Sequence, residues 1–436
     1  MSPDRHPESA RARGAVLASL FLALVAFLGL SSTADASSDA TCPFAHGAGE
    51  LPGWHARPMP DDYSGGLKEL SVVYTDRALN HMSAPFVEVM NDLNELLTEV
   101  YGAAATAILP GSGTFAMEAV ARQFALNKKA LVVRNGYFSY RWSDIFDQTG
   151  LASEVVVLKA DLDASDSDPT RPRVKPLGAE HIARRIAEEK PAVVFAPHVE
   201  TSTGVMFPDE DLKTIADAAH GVGALFVLDC VASGTYWVDM KATGVDVIIT
   251  APQKGWSGHA CAGVVVFSER AEKVARTGDA SDSMVLNLRK WLEVMDSYLA
   301  GGFSYYTTMP TDCLRLFRDA ARETRAYGFE NAKKDFVAMG KGVRDAMEER
   351  GLTVVAAEGY RAPGVAVAYV GDKAIAAKFK KAGFQIAAGV PYMLETQPEM
   401  ATFRLGLFGL DKIKDAKKTV ETIARGMDEA LEGVSR

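Results

Sequence analysis

The run Ala224-Leu225-Phe226-Val227-Leu228-Asp229 is an apolar stretch closed by a carboxylate, and Val245–Thr250 followed by Ala251-Pro252-Gln253-Lys254 repeats the plan with an amine. Apolar runs of four to seven residues are too short for helices and read as strands covered on both faces. The same texture extends outward from this pair. Ala105–Leu109, Ala130–Val133, Val155–Leu158, Ala192–Ala196 and Gly263–Phe267 read as further strands. Amphipathic stretches separate them: one with Met117, Val120 and Phe124 on one face, then Tyr140–Thr149, Glu180–Lys190 and Glu210–His220. The segment Asp161 to Pro176 reads as a polar loop. Strand–helix alternation of this kind predicts an α/β fold, a mostly parallel sheet with helices on both faces.

After Pro310 the texture changes. A long charged helical stretch runs to about Arg350, followed by strand-like Thr353–Ala356, Val365–Val370 and Phe403–Phe408, with a helix at Lys373–Lys381. A final helix places Ile413, Ala416, Val420, Ile423, Met427 and Leu431 on one face. This predicts a smaller C-terminal α/β domain at 321–436 beside a large domain at 67–320. At the other end, Arg5, Arg11 and Arg13 precede the apolar run Ala15–Leu30, and Ser31-Ser32-Thr33-Ala34-Asp35-Ala36 offers a small-x-small cleavage site. Residues 1–36 therefore read as a removable signal for secretory, periplasmic or organelle entry; an uncleaved anchor, or a cytoplasmic chain with a misassigned start, are the other readings. Residues 37–66, rich in Gly, Pro, Ser and Asp, read as an arm.

The chain has 436 residues, 48% hydrophobic and 24% charged, with 47 Lys and Arg against 56 Asp and Glu, a net charge of −9. That balance excludes intrinsic disorder and argues against nucleic acid as a partner. One long apolar run excludes a polytopic membrane protein and leaves no span in the mature chain. Cys42, Cys230, Cys261 and Cys313 form no CxxC pair and no zinc spacing, so neither a disulfide framework nor a metal site is expected.

Three features at strand ends carry chemistry, because ligands of open α/β sheets collect beyond the carboxyl ends of strands. Leu109-Pro110-Gly111-Ser112-Gly113-Thr114 joins a strand to a helix, where glycines admit a phosphate to backbone N–H groups at a positive helix end. Taken alone it is equally a tight turn. Asp229 ends a buried strand; such a carboxylate needs a cation beside it, and taken alone it is equally a helix cap or the partner of an arginine. Lys254 follows another strand 25 residues later, where partial desolvation would lower its pKa toward nucleophilic range; taken alone it is equally a solvated lysine. Anion cradle, carboxylate and amine in this order suit pyridoxal 5′-phosphate, whose ring nitrogen supplies the cation Asp229 lacks.

The stretches His198-Val199-Glu200-Thr201-Ser202-Thr203-Gly204, Leu228-Asp229-Cys230-Val231-Ala232-Ser233 and Gln253-Lys254 resemble the class V (fold-type I) pyridoxal-phosphate aminotransferases, in particular the alanine–glyoxylate and serine–pyruvate branch. The resemblance runs from about Val72 to the C-terminus. It implies that Lys254 binds the cofactor covalently and later carries a proton, and that Asp229 keeps the ring nitrogen protonated. Ser112, Gly113 and Thr114, with Gln253, would hold the phosphate. Phe138 would stack on the ring and Thr201 would lie near the phenolic oxygen. Tyr305 and Thr308 would reach the phosphate of a neighbouring subunit, which implies a homodimer. Arg404, in Thr402-Phe403-Arg404-Leu405-Gly406, would grip the substrate carboxylate with its guanidinium fork.

Two stretches depart from the family pattern. Ser71-Val72-Val73-Tyr74-Thr75-Asp76-Arg77 stands where many relatives have a Gly-Pro-Gly-Pro loop, and Gly258-His259-Ala260-Cys261-Ala262-Gly263 where many have Pro-Pro-Gly. Both touch the substrate pocket, so no role is assigned to His81, His259 or Arg77. The expected reaction moves an amino group from alanine or serine to glyoxylate or pyruvate in a ping-pong cycle. The alternatives are another class V enzyme: a 2-aminoethylphosphonate transaminase, a lyase or a cysteine desulfurase. A desulfurase needs a cysteine in a mobile loop, which the four positions do not offer.

Overall fold

The structure is a computed structural model that describes residues 66–434 apart from 163–167, 169, 280 and 397–398. The expected signal and the arm up to residue 65, and with them Cys42, lie outside the described residues.

Seven strands form the main sheet: β1 (Ala105–Pro110), β2 (Lys129–Arg134), β3 (Glu154–Lys159), β4 (Val193–Pro197), β5 (Leu225–Asp229), β6 (Val247–Thr250) and β7 (Ala262–Phe267). Their order across the sheet is β1-β7-β6-β5-β4-β2-β3. The strands β3, β2, β4, β5 and β6 pair in parallel, and β7 runs antiparallel to both β6 and β1. β1 therefore points the same way as the parallel set. Every residue of β4 and β7 is buried, so both faces of the sheet are covered, and the strands are apolar runs rather than alternating ones for that reason. This is the expected α/β architecture. The carboxyl ends of β1, β2, β4, β5 and β6 share one edge, and the segments that follow them meet there.

A second sheet is antiparallel, in the order β8-β10-β9, from β8 (Val365–Val370), β9 (Ala387–Ala388) and β10 (Ala401–Gly406). Phe336, Met339, Val343 and Met347 of helix Phe329–Glu349 join Ala366, Ala368, Phe403 and Leu405 in one core. Another core joins Val199 and Val205 to Val365, Val367 and Tyr369. The loop around Thr201 is thereby packed against the strand pair that carries Arg404.

The structure differs from the sequence expectations in several elements. The single helical stretch after Pro310 is two helices, Thr311–Tyr327 and Phe329–Glu349, broken at Gly328, whose φ of +97° no helix interior permits. Residues Thr353–Ala356 form isolated bridges to Ala368 and Val174 rather than a strand. The polar loop contains a two-residue ribbon, Asp161–Leu162 against Val174–Lys175. The last helix is Ala416–Ala430, with Ile413 in a separate turn, Leu410–Ile413. Helices Ala84–Tyr101, Glu269–Thr277 and Leu288–Leu299 were not expected. Among the described residues no helix is long and apolar enough to cross a membrane.

Candidate active site

The site is built from strand ends. Beyond β1, Ser112 stands at the N-terminus of helix Gly113–Phe124 and its hydroxyl makes no capping bond to that helix. Ser112, Gly113 and Thr114, at this helix start, line one cleft together. Gly113 is required by space: a Cβ there would lie 2.7 Å from Cγ2 of Val231. The cradle is therefore open only because position 113 has no side chain. Arg141, from helix Tyr140–Thr149, donates from Nη1 to Thr114 Oγ1 at 2.9 Å and adds positive charge to the same corner.

Asp229 closes β5. Its Oδ1 accepts the N–H of Val231 at 2.9 Å, and among the described residues it makes no ion pair. Burial pushes its carboxyl up to about 6, against the Val231 hydrogen bond and the charge of Arg141, which pull it down. Lys254 follows β6. Burial lowers its pKa, and the charges of Arg404 and Arg141 lower it further, while Asp229 raises it. Its ammonium lies 4.9 Å from the ring centre of Phe408. Phe138, beyond β2, has the Arg141 guanidinium 5.4 Å and the Arg404 guanidinium 5.7 Å from its ring centre. Arg404 reaches it from β10, where Nε donates to the carbonyl of Ala388 at 3.0 Å and fixes the fork. Thr201 and Gln253 line the cleft with Asp229, Lys254 and Phe138.

Eight of the eleven sequence-predicted positions line one cleft, and Arg404 reaches its rim through Phe138; Tyr305 and Thr308 lie apart from it and bond to each other at 3.0 Å on the exposed surface of this chain. His81 is buried among Tyr74, Phe303 and Tyr305, away from the cleft lining. Sequence reasoning missed Arg141, Phe408 and Glu200. Arg141 follows Phe138 by one helical turn, a spacing that could have pointed to it. Phe408 carried no signal.

The donor set fits pyridoxal phosphate. The helix N-terminus and Ser112 suit a phosphate, Asp229 is a carboxylate without a cation, and Lys254 is an amine with depressed basicity. Asp229 makes the fit testable by pH. In the cofactor-free chain its folded pKa of about 6 exceeds the ordinary 3.8, so its contribution to stability is present below 3.8 and is lost as pH rises through 6. Relative to Asp229→Asn, the cofactor-free protein should lose unfolding temperature between pH 4 and pH 7, and added cofactor should cancel that loss. A difference that does not change with pH would remove Asp229 as a desolvated carboxylate.

Residues 68–389 match the family described as aminotransferase class-V. The chain belongs to that family. It is a pyridoxal-phosphate-dependent transaminase by that membership, and the matched segment holds every cleft residue named above except Arg404 and Phe408. Alanine–glyoxylate aminotransferase 1 of Saccharomyces cerevisiae is 28% identical over 72% of this chain and 82% of its own length. Serine–glyoxylate aminotransferase of Methylorubrum extorquens is 28% identical over 64% of this chain and 67% of its own. Among solved structures, an alanine–glyoxylate aminotransferase from Nostoc sp. superposes with a TM-score of 0.68, covering 81% of this chain and 89% of that one at 22% identity, a likeness of fold. The class-V aminotransferase fold expected from the sequence is thereby found in the structure.

Proposed function

We propose that this class-V aminotransferase takes the amino group of a small amino acid, alanine or serine, and passes it to a 2-oxo acid, glyoxylate or pyruvate, with pyridoxal 5′-phosphate held in the cleft. The observation that carries the reading is that Phe138, Asp229 and Lys254, from beyond three strand ends of the main sheet, line one cleft, with Arg404 of β10 beside the Phe138 ring. The relatives named for alanine–glyoxylate and serine–glyoxylate transfer support the choice of substrates.

When bound, the cofactor supplies an aldehyde carbon for amines and a conjugated ring for the electron pair released at Cα. The residues do the rest. Ser112 and the N–H groups of helix Gly113–Phe124 hold the phosphate. Asp229, ionised once a cation faces it, would keep a proton on the ring nitrogen. Phe138 would form a wall beside the ring. Arg404 grips the substrate carboxylate with two parallel N–H bonds and so turns Cα toward Lys254. Lys254, its basicity reduced by burial, would as a neutral amine take the proton from Cα and deliver it to the carbon that had been the cofactor's aldehyde. In the first half-reaction the donor leaves as its oxo acid; in the second the acceptor leaves as an amino acid.

The described thiols do not favour cysteine desulfuration: burial drives the pKa of Cys230 far up and that of Cys261 up to about 12, and half-buried Cys313 sits within helix Thr311–Tyr327 rather than on a loop. We read Tyr305 and Thr308, with exposed Phe303 beside them in sequence and exposed Met284, whose carbonyl accepts from the Tyr306 hydroxyl, as surface offered to a second copy of the chain.

The test is an absorbance titration of the protein loaded with pyridoxal phosphate. Alanine or serine should convert the visible band to the amine form, and glyoxylate or pyruvate should restore it. The loaded protein should also scatter light as twice the mass of the purified chain. Irreversible bleaching by an amino acid would replace transamination by elimination chemistry.

A further inference from the structure

Glu200 is completely buried, and among the described residues it forms no ion pair. An isolated carboxylate in that position would cost several kcal/mol. It is instead surrounded by donors. Its Oε1 accepts from the N–H of Phe138 at 3.1 Å, the N–H of Ser202 at 3.0 Å and the hydroxyl of Ser202 at 2.7 Å. Its Oε2 accepts from the N–H of Ser139 at 2.9 Å and the hydroxyl of Ser139 at 2.7 Å.

The two hydroxyls extend the reach of this one charge. Ser139 Oγ accepts the N–H of Asn135 at 2.9 Å and of Gly136 at 3.1 Å, and Ser202 Oγ accepts the N–H of Tyr137 at 3.0 Å. All five backbone N–H groups from Asn135 to Ser139 therefore point either at Glu200 or at a hydroxyl that donates to it. The loop closes on the carboxylate so tightly that a Cβ on Gly136 would lie 2.1 Å from Ser202 Oγ and 2.7 Å from Cδ of Glu200. One loop carries Phe138 and the other carries Thr201, and both residues line the cleft.

We infer that Glu200 is a positioning residue: a buried carboxylate staple that registers the Phe138 loop against the Thr201 loop and so sets where both side chains meet the cofactor. The inference rests on the cofactor-binding reading given under Proposed function. Two acceptor oxygens serve two loops, and a neutral side chain cannot do the same. Glutamine keeps one acceptor and turns an amide N–H₂ toward groups that are themselves donors. The negative charge also raises the proton affinity of Asp229 and of Arg404, which agrees with its place behind the site.

Glu200→Gln is the test, read first without cofactor. Amide hydrogen exchange at Phe138 and Ser139 should speed up at least tenfold (order of magnitude, from the loss of charge-assisted acceptors). In the loaded protein the affinity for pyridoxal phosphate should fall at least about tenfold and the visible band should move. With Phe138→Leu already in place, the further loss of affinity on adding Glu200→Gln should be smaller, because the staple then has less to position. Ser202→Ala keeps the charge, removes one donor and should reproduce the effects in smaller measure. Faster exchange with unchanged cofactor affinity and band would show a residue that only holds the loop together, and would overturn the inference; so would unchanged exchange. A wild-type protein that takes up no cofactor would overturn the functional reading, and this inference with it, and is recognised before any variant is made.

Discussion

Lys254→Ala should leave a folded protein without the visible band of a covalently held cofactor and with turnover lowered by about four orders of magnitude, the upper range for loss of a positioned acid–base group. The cleft lining contains one lysine among the described residues, so no neighbour stands ready to replace it. Folding should survive. The substitution removes an ammonium that burial destabilises and gives up its contact with the Phe408 ring, worth about 1 kcal/mol; these effects oppose each other. The unfolding temperature of the cofactor-free variant should stay within a few degrees of the parent, since about 1 kcal/mol moves a chain of this size by no more than that. The variant separates chemistry from binding: the phosphate cradle at Ser112 and the carboxylate of Asp229 remain, so the cofactor should still bind reversibly. Transamination that persists in Lys254→Ala would end the assignment of the amine.

What could be read from the sequence follows from how this sheet is covered. Its strands are buried on both faces, so they are written as apolar runs, and Leu225–Asp229 and Val247–Thr250 are visible without any partner in view. The residues that terminate them, Asp229 and Lys254, are visible for the same reason: a charge directly after a buried run has to face a ligand, a partner or water. Helix Ala84–Tyr101 was equally legible, with Phe86, Val89, Met90, Leu93 and Leu97 at three- and four-residue steps, but its sequence holds no chemistry to draw the eye. Gly328 could have been read as a break within the charged helical stretch. Thr353–Ala356 has the composition of a strand and lacks the pairing to become one, and pairing is a property of the partner.

The electrostatic part of the site was not legible, because it is assembled from residues distant in sequence. Glu200 was quoted for its motif and gained a role only when the structure brought residues 135–139 onto its two oxygens. Phe408 lies 154 positions from Lys254 and touches it only because β10 returns toward the end of β6. Arg141 reads as a helix surface residue until Thr114 and Phe138 are seen under it. The depressed basicity of Lys254 belongs to the same class: its charged neighbours Arg404, Asp229 and Arg141 come from three different elements. A sequence names the reacting groups, whereas their proton affinities are set by contacts that only the fold creates.

Arg404→Ala should separate substrate binding from cofactor binding. Burial lowers the proton affinity of this guanidinium, but an arginine has so far to fall that it remains a cation at neutral pH. A carboxylate that pairs with it in the half-buried cleft forms a charge-assisted, two-bond contact, and removing one partner of such a pair costs about 2–5 kcal/mol. The expected result is a fall of about 10²–10³ in kcat/KM for alanine and serine, carried mainly by a higher KM, with the visible band intact. Arg404→Lys should recover part of the loss, since it restores the charge without the planar fork. An amino acid amide, which has no carboxylate to grip, should be a poor donor for the parent enzyme and no poorer for the variant. The same substitution removes a positive charge that lowers the Lys254 pKa, so the alkaline shift of that amine in the cofactor-free protein, followed by pH-dependent labelling, gives a readout independent of turnover. If KM is unchanged for every amino acid while Lys254 titrates higher, Arg404 tunes the lysine and does not hold the substrate; if neither moves, it lies outside the site.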